Sequence, residues 1–219
     1  MPSPLTAPGV SPRFLALLAA EPLDRSGVLD VGCGSGRLTL ALAPAAKWVV
    51  GLDRDAAAIA EARRSAQAAS LTNGEFHEAD VERDAYSAWA PDLVTAHLCA
   101  SDAIVERAAA ALSPGHCLGM VAFHVDQWKE TGRVSRFAYD EARMRDGLER
   151  HGFVVEVLEV EREVRRFSSV EEGLAAAVGL EGRWRTDGRW FRYIAFLEGG
   201  GRTLTRSHLI VKARRGSRP

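Results

Sequence analysis

The sequence predicts an α/β fold built around a mostly parallel β-sheet, and two observations carry this prediction. Short apolar runs alternate with segments of helical periodicity along most of the chain, which is typical of repeated β-α units. The first apolar run leads straight into a glycine-rich turn and a helix. At 219 residues, the chain has room for one such domain with a modest addition.

Five apolar runs in the first part of the chain are the expected parallel strands. Strands of this kind are buried on both faces, so they are continuously apolar. Helices are expected between them, the first ended early by Pro44 and the second capped by Asp55. The expected strands are residues 28–31, 47–52, 75–79, 93–98 and 117–123, and the expected helices are residues 37–43, 55–69 and 102–112.

Elsewhere in the chain, the sequence predicts helices and strands that alternate less regularly. Phe137, Met144 and Leu148 recur on one helical face, in a helix that should end at His151 and Gly152. The other expected elements are a short helix at 13–20 covering the mouth of the sheet, a long strand at 153–164, a helical insertion at 168–201 and a last strand at 204–213.

Composition excludes several classes of protein. Hydrophobic residues make up 47% and charged residues 26% of the chain, as in globular proteins. No apolar run approaches the roughly 20 residues of a membrane-spanning helix. The start of the chain lacks a secretory pattern, and the three cysteines lack disulfide-framework spacing. We therefore expect a soluble, cytoplasmic protein without a membrane partner, and no metal site, because no C-x-x-C or H-E-x-x-H spacing occurs.

The net charge of −1 hides an asymmetry along the chain. Residues 1–109 carry 9 basic and 14 acidic side chains, whereas residues 181–219 carry 10 basic and 3 acidic ones. The C-terminal excess would attract an anionic substrate or a nucleic acid. The alternative is a solvated, arginine-rich surface, and the sequence leaves both interpretations open.

The turn after the first strand indicates a nucleotide-like ligand. A side chain at Gly32, Gly34 or Gly36 would keep a ligand away from the backbone, and the helix that follows begins with unpaired N–H groups. The spacing is not the dinucleotide fingerprint, because Arg37 stands where its third glycine is required. The Gly-Lys-Ser/Thr ending of a phosphate-binding loop is also missing.

Three carboxylates, Asp30, Asp53 and Asp80, stand where successive parallel strands should end. This edge of an open α/β sheet is where ligands bind. Asp53 is placed to accept both hydroxyls of a ribose, and Asp80 to accept from the exocyclic amine of adenine. The charge of Asp30 beside the glycine turn would repel a pyrophosphate and favour an amino-bearing ligand, which argues against NAD.

These motifs resemble the class I S-adenosylmethionine-dependent methyltransferases. The resemblance implies a Rossmann-like, seven-stranded, mostly parallel sheet with an antiparallel last strand, helices on both faces and a small helical insertion before the last strand. It rests on LDVGCGSG (29–36), GLDRD (51–55), HEADV (77–81), DLVTAHL (92–98) and LSPGHCLGMV (112–121), in order and at the usual spacing. The implied single domain, residues 1–219, comprises a cofactor-binding core at 27–125, acceptor-side elements at 126–203 and the last strand at 204–213.

The resemblance also implies how S-adenosylmethionine is bound. The glycines would pass close to its methionine moiety and Asp30 would hold the amino group. Asp53 would bind the ribose, Asp80 and the Val81 N–H the adenine, and His97 would line the cleft near the sulfonium. The complete set of expected cofactor contacts is Asp30, Gly32, Cys33, Gly34, Gly36, Asp53, Arg54, Asp80, Val81 and His97.

The expected reaction is methyl transfer by in-line displacement to a small-molecule or carrier-bound acceptor. If the acceptor arrives protonated, His97 and His124 are the candidate catalytic bases, since each follows a strand at the ligand-binding edge. The residues after the fourth strand differ from the Asn/Asp-Pro-Pro-aromatic loop of enzymes that methylate DNA amines, so nucleic acid is not the favoured partner. The alternatives are an RNA or protein methyltransferase using the C-terminal basic surface, and a non-catalytic S-adenosylmethionine-binding protein.

Two C-terminal segments, FSSVEEGL (167–174) and GRTLTRSHLIVKARR (201–215), resemble the tail of methyltransferases that esterify malonyl-acyl carrier protein. The likeness implies a carrier or carboxylate partner for the arginines of the segment before the last strand. The alternative is an arginine-decorated cap on the core. The arginines concerned are Arg183, Arg185, Arg189 and Arg192.

Overall fold

In a computed structural model, which describes residues 5–217, the sheet runs in the order β3-β2-β1-β4-β5-β8-β7, with β6 paired to β5. The pairs β1–β2, β1–β4, β2–β3, β4–β5 and β5–β6 are parallel. The strands are β1 (Gly27–Val31), β2 (Trp48–Asp53), β3 (Gly74–Glu78), β4 (Leu93–His97), β5 (Cys117–His124), β6 (Ala138–Tyr139), β7 (Phe153–Arg166) and β8 (Thr203–Arg215).

The helices begin where the sequence provides caps. Asp55 accepts hydrogen bonds from the N–H groups of Ala57 and Ala58, which confirms its predicted role at the start of α3. Within residues 5–217, no helix has the length and apolar character needed to cross a bilayer. The helices are α1 (Pro12–Ala19), α2 (Arg37–Leu42), α3 (Ala56–Ala68), α4 (Asp102–Ala111), α5 (Glu141–Arg150), α6 (Val170–Ala177), α7 (Glu181–Thr186) and α8 (Arg189–Glu198).

The C-terminal strand is antiparallel to its neighbour, as predicted. Arg215 accepts from the N–H of Gly115 and donates to the carbonyl of the next residue, His116, which is the pattern of a β-bulge in an antiparallel pair. The predicted α/β class, mostly parallel sheet and helical insertion are confirmed. The sheet has eight strands instead of seven because the two-residue strand β6 joins it.

One helix prediction is wrong at its start. Phe137 does not share a helix with Met144 and Leu148, because α5 begins only at Glu141. Phe137 is 49% exposed in the preceding loop, and the next two residues form β6 beside β5. Strand pairing engages the backbone of these residues, so the helical spacing of Phe137 is coincidental.

The described chain divides into two compact units. The predicted single domain and its internal boundaries remain predictions. Unit 1 contains residues 5–122, 141–159 and 210–217, and unit 2 contains residues 123–140 and 160–209.

Each unit has its own apolar core. In unit 1, the fully buried Phe14 and Leu18 of α1 pack over Gly119 of β5, where an added Cβ would lie 2.7 Å from Leu18 Cδ2. In unit 2, Trp184 and Tyr193 are fully buried among residues of the helical insertion. Burying a large apolar side chain stabilises a fold by roughly 1.5–3 kcal/mol.

Candidate functional site

A cavity of about 120 Å³ lies at the carboxyl end of β1, within unit 1. It brings together five of the predicted cofactor contacts: Asp30, Gly32, Cys33, Gly34 and His97. The rest of its lining comes from the residues that follow the glycines and from the chain before α1. These are Ser35, Arg37, Leu38 and Val10.

The three glycines of the loop have positive φ angles but different surroundings. A Cβ at Gly32 would lie 2.4 Å from Cys99 Sγ, and one at Gly36 would lie 2.8 Å from the Phe76 ring. These two glycines are therefore required by packing. Gly34 has a φ of 54°, and a Cβ there would meet nothing within 4 Å. The space beside Gly34 is thus where a ligand can approach the backbone.

Asp30 is the buried charge of the cavity, with 1% of its surface exposed. Its two carboxylate oxygens accept hydrogen bonds from the hydroxyls of Thr39 at 2.6 Å and Thr95 at 2.9 Å. Burial nevertheless raises the pKa of Asp30 to about 6. At neutral pH, the carboxylate is mostly ionised. Because burial disfavours this charge, a cationic ligand beside Asp30 would stabilise it.

Neither threonine is identified by a pattern in the sequence. Thr39 lies in the first turn and a half of α2, and Thr95 lies in the middle of β4, each fully buried among apolar neighbours. Each threonine does place a hydroxyl within an otherwise apolar run. Because a buried hydroxyl needs a hydrogen-bond partner, this placement indicates that a polar group lies nearby.

Asp53, the last residue of β2, braces the glycine loop. Its Oδ2 accepts from the N–H of Gly34 at 2.8 Å, and its Oδ1 accepts from the N–H of Asp55 at 2.9 Å. Asp53 does not line the cavity. The adjacent Arg54 is exposed.

Asp80 lies near Asp53, beyond the end of β3. The N–H of Ala79 donates to the Asp53 carbonyl at 2.9 Å, which brings the ends of the two strands together. Asp80 Oδ1 accepts from the N–H of Glu82 at 3.1 Å, and the Val81 carbonyl accepts from the Tyr86 hydroxyl. The turn that carries Asp80 and Val81 is therefore ordered by its own hydrogen bonds.

His97 ends β4, with its ring centroid 6.4 Å from that of Phe14. The next residue, Leu98, has a φ of 60°, a conformation that a branched side chain rarely adopts. Leu98 N–H donates to the Val121 carbonyl at 2.7 Å, which holds the strained turn. Such strain costs of order 1–3 kcal/mol and clusters at functional sites.

The two cysteines beside the cavity are not activated nucleophiles. Burial, together with the carboxylates of Asp30 and Asp53, raises the pKa of both thiols, that of Cys99 to about 12. Both thiols therefore stay protonated, and the thiolate is the form that reacts.

The chain before α1 closes one side of the cavity. Val10 is buried and lines it, and Arg37 Nη1 donates to the Pro8 carbonyl at 3.0 Å. In the sequence, Arg37 is notable only because it stands in place of a third glycine. No local pattern linked it to a segment 29 residues earlier.

His124 lies in unit 2 and is buried, with 5% of its surface exposed. Its Nδ1 accepts from the N–H of Asp126 at 3.2 Å, so the Ser207 hydroxyl, 3.0 Å from the same nitrogen, also acts as a donor. Ser207 N–H in turn donates to Gln127 Oε1 at 2.6 Å. This network sets the orientation of the imidazole.

Trp128 and Trp184 form the aromatic centre of unit 2. Their rings meet edge to face at 5.3 Å, and neither indole N–H has a hydrogen-bond partner within the described chain. The Arg189 guanidinium lies 5.2 Å from the centroid of Trp128 and pairs with Asp187 at 2.7 Å. Residues 182–192, a segment rich in arginine and tryptophan, thus contribute to the core packing of unit 2.

Part of the chain that contains this site is similar to a known protein family. Residues 28–115 match the family model of a methyltransferase domain. A 23S rRNA (uracil(1939)-C(5))-methyltransferase of Xanthomonas euvesicatoria is 47% identical over 74 residues, which are 34% of this chain and 16% of that protein. The chain therefore spans about a sixth of the length of this relative.

Solved structures share the fold. An S-adenosylmethionine-dependent methyltransferase from Methanosarcina mazei matches with a TM-score of 0.61 at 16% identity, over 92% of this chain and 98% of that one. A Haemonchus contortus phosphoethanolamine N-methyltransferase, in complex with phosphomonomethylethanolamine and S-adenosylhomocysteine, matches with a TM-score of 0.63 at 16% identity, over 96% of this chain and 54% of that one.

Proposed function

We propose that the chain carries a class I S-adenosylmethionine-dependent methyltransferase domain, binds S-adenosylmethionine and transfers a methyl group to a small-molecule or carrier-bound acceptor. The observation that supports this most strongly is the buried Asp30 carboxylate in a cavity beside the open backbone of Gly34. A fixed negative charge and an uncovered glycine suit the amino-bearing end of this cofactor.

The size of the cavity fits one end of the ligand. Whole ligand pockets usually measure roughly 300–1,000 Å³, whereas this cavity measures about 120 Å³. Asp30, Gly32 and Gly34 would hold the methionine end, and Asp53 and Asp80, outside the lining, would hold the ribose and the adenine. When bound, the cofactor supplies an electrophilic methyl group on a sulfonium.

The residues of the chain then have two tasks, alignment and exclusion of water. Val10 and Leu38 give the cavity apolar walls, and Arg37 fixes the segment that carries Val10. We assign His97 to the cavity wall nearest the transferred group. His97 and His124 remain the proposed catalytic residues for an acceptor that must lose a proton.

The basic C-terminal segment favours a small or carrier-bound acceptor over RNA, because most of its charge is used internally. Of the nine basic side chains that the structure describes in residues 181–217, six have partners within their own unit. Arg185 pairs with Glu181, Arg189 with Asp187, and Lys212 and Arg214 with Glu21, whereas Arg202 and Arg215 donate to backbone carbonyls. Internally paired arginines contribute little to phosphate binding.

RNA methylation is the second candidate, favoured by the likeness to the Xanthomonas rRNA methyltransferase. Binding to an RNA should weaken steeply with added salt if several basic side chains neutralise phosphates. Titrating a fluorescent RNA oligomer at 50 and 200 mM salt tests this. A flat response, or no binding at low salt, removes the candidate.

The proposed acceptor class is tested by tracing a tritiated methyl group from S-adenosylmethionine. The purified protein is incubated with small-molecule, acyl-carrier, RNA and total-protein fractions of a cell extract. We expect label in one of the first two, lost in Asp53→Ala and retained in Glu106→Ala, which removes an exposed carboxylate on α4. Label confined to the RNA or protein fraction contradicts the proposal.

A further inference from the structure

A second cavity, a groove of about 450 Å³, lies within unit 2 between the end of β7 and helix α6. Arg165, Arg166 and Phe167 form one wall, and Ala175 and Ala176 lie on the helix opposite. Glu172 completes the lining. The groove therefore combines two guanidinium groups with an aromatic ring and a floor of small apolar side chains.

The two arginines of the groove differ from others in the same unit. Arg185 and Arg189 are ion-paired with Glu181 and Asp187. Among the described residues, neither Arg165 nor Arg166 forms an ion pair, and both are exposed. The Arg165 guanidinium lies 5.7 Å from the centroid of Phe167, which holds it at the groove.

The carboxylate of the groove is engaged at the start of α6. Glu172 Oε2 accepts from the N–H of Ser168 at 2.7 Å and from the Ser168 hydroxyl at 2.8 Å. The Ser168 hydrogen bonds keep the pKa of Glu172 below its usual value, so it remains charged and bound to the turn. The groove thus contains one carboxylate that is hydrogen-bonded to its own turn and two guanidinium groups that form no ion pair with any described residue.

We propose that this groove binds a phosphate monoester that carries an apolar or aromatic group. A phosphate monoester bears about −1.5 to −2 charges and three acceptor oxygens, which matches two guanidinium forks. Phe167 and the two alanines provide the surface against which the organic group packs. The proposal concerns unit 2 alone and does not depend on the cofactor site in unit 1.

The test titrates phenyl phosphate into the full-length protein by isothermal calorimetry, with phenol and inorganic phosphate as separate comparators. We expect phenyl phosphate to bind at least fivefold more tightly than either, since only it uses both the guanidiniums and the apolar surface. Saturating S-adenosylhomocysteine should leave its affinity unchanged. Displacement by S-adenosylhomocysteine would place the compound in the other cavity and overturn the proposal.

Substitutions of the two arginines test whether phenyl phosphate binds in the groove. Arg166→Gln and Arg165→Gln should each weaken phenyl phosphate binding about tenfold, as expected for the loss of a charge-assisted hydrogen bond. Arg136→Gln is the matched control, because Arg136 is an exposed arginine of unit 2 that lies outside the groove and, like Arg165, packs over a phenylalanine ring. Equal weakening by all three variants, or none by the first two, would contradict the assignment. Circular dichroism confirms that the variants are folded.

Discussion

The two units differ in what their buried polar groups do. In unit 1, the buried Asp30 lines a cavity and is held by two threonine hydroxyls. In unit 2, the partly buried Arg189 pairs with Asp187 and packs over the ring of Trp128. The first arrangement keeps a charge available to a ligand, and the second uses a charge to stabilise a core.

The largest expected effect is the loss of stability when the core of unit 2 is disrupted. Trp184→Ala should lower the free energy of unfolding by about 3–5 kcal/mol, because it removes a fully buried aromatic ring and leaves a cavity. Urea denaturation followed by circular dichroism measures this. Trp184→Phe, which keeps an aromatic ring, is the control and should lose less than half as much.

Trp184→Ala also tests whether the proposed cofactor site belongs to unit 1 alone. Trp184 does not line the cavity that holds Asp30. At a temperature where the variant is folded, its affinity for S-adenosylmethionine should stay within about twofold of the wild-type value. A tenfold or greater loss of affinity would show that S-adenosylmethionine binding depends on the core of unit 2.

The next largest effect is expected on S-adenosylmethionine binding at Gly34, where an added Cβ would meet nothing within 4 Å. Gly34→Val should weaken S-adenosylmethionine binding at least about a hundredfold, since its side chain would occupy the space beside the loop. Gly115→Val is a matched control, because Gly115 also has a positive φ, of 87°, and open space around its Cβ position. Both variants bear similar backbone strain, of roughly 1–2 kcal/mol.

Calorimetric titration of the two glycine variants separates strain from obstruction. Gly115→Val should bind S-adenosylmethionine within about twofold of the wild-type affinity. If both variants lose affinity equally, strain and not an occupied ligand space explains the loss, and the role given to Gly34 is wrong.

Asp30 makes stability depend on pH in a direction that can be checked. Because the pKa of Asp30 is raised to about 6 in the folded protein, the folded state keeps this proton when the unfolded chain has lost it. Asp30 therefore lowers stability as pH rises from about 4 to above 6. Asp30→Asn should raise the free energy of unfolding by about 2–3 kcal/mol at pH 8, and by little at pH 4.

Cofactor affinity should show the opposite dependence. Below pH 6, the wild-type affinity for S-adenosylmethionine should fall by up to about tenfold per pH unit as Asp30 is protonated. Asp30→Asn should bind weakly at pH 8 and lack that decline. A wild-type affinity that is constant between pH 8 and pH 5 would show that the Asp30 charge does not hold the ligand.

The smallest effect is expected at the segment that closes the cavity. Arg37→Met removes the hydrogen bond to the Pro8 carbonyl and should increase the dissociation rate of S-adenosylmethionine about two- to fivefold. Stopped-flow fluorescence measures this rate. Arg64→Met, an exposed arginine on α3, should leave it unchanged. A slower rate in Arg37→Met would contradict the closing role.

The contrast between the units also explains what could be predicted from the sequence. The strands of unit 1 and the loop with Gly34 follow local patterns, so their positions were predicted within one or two residues. The partners of Asp30 are far from it in sequence, and Thr95 is 65 residues away. No local pattern pairs such residues.

Unit 2 was harder to predict because its core is assembled from separate segments. Trp128 and Trp184 meet although 56 positions separate them, and His124 contacts Ser207 across 83 positions. Phe137 showed helical spacing by coincidence, since backbone pairing at β6 determines the local structure. Residues 181–192 carry two ion pairs that are local in sequence, Arg185 with Glu181 and Arg189 with Asp187.

The central claim is that the cavity of unit 1 and its neighbouring carboxylates bind S-adenosylmethionine. Isothermal titration of the wild-type protein tests it most directly, with Asp53→Ala and Glu106→Ala titrated in parallel. We expect one binding site per chain in the wild type, affinity at least about tenfold weaker in Asp53→Ala, and unchanged affinity in Glu106→Ala. No measurable binding by the wild type, or equal affinity in Asp53→Ala, would contradict it.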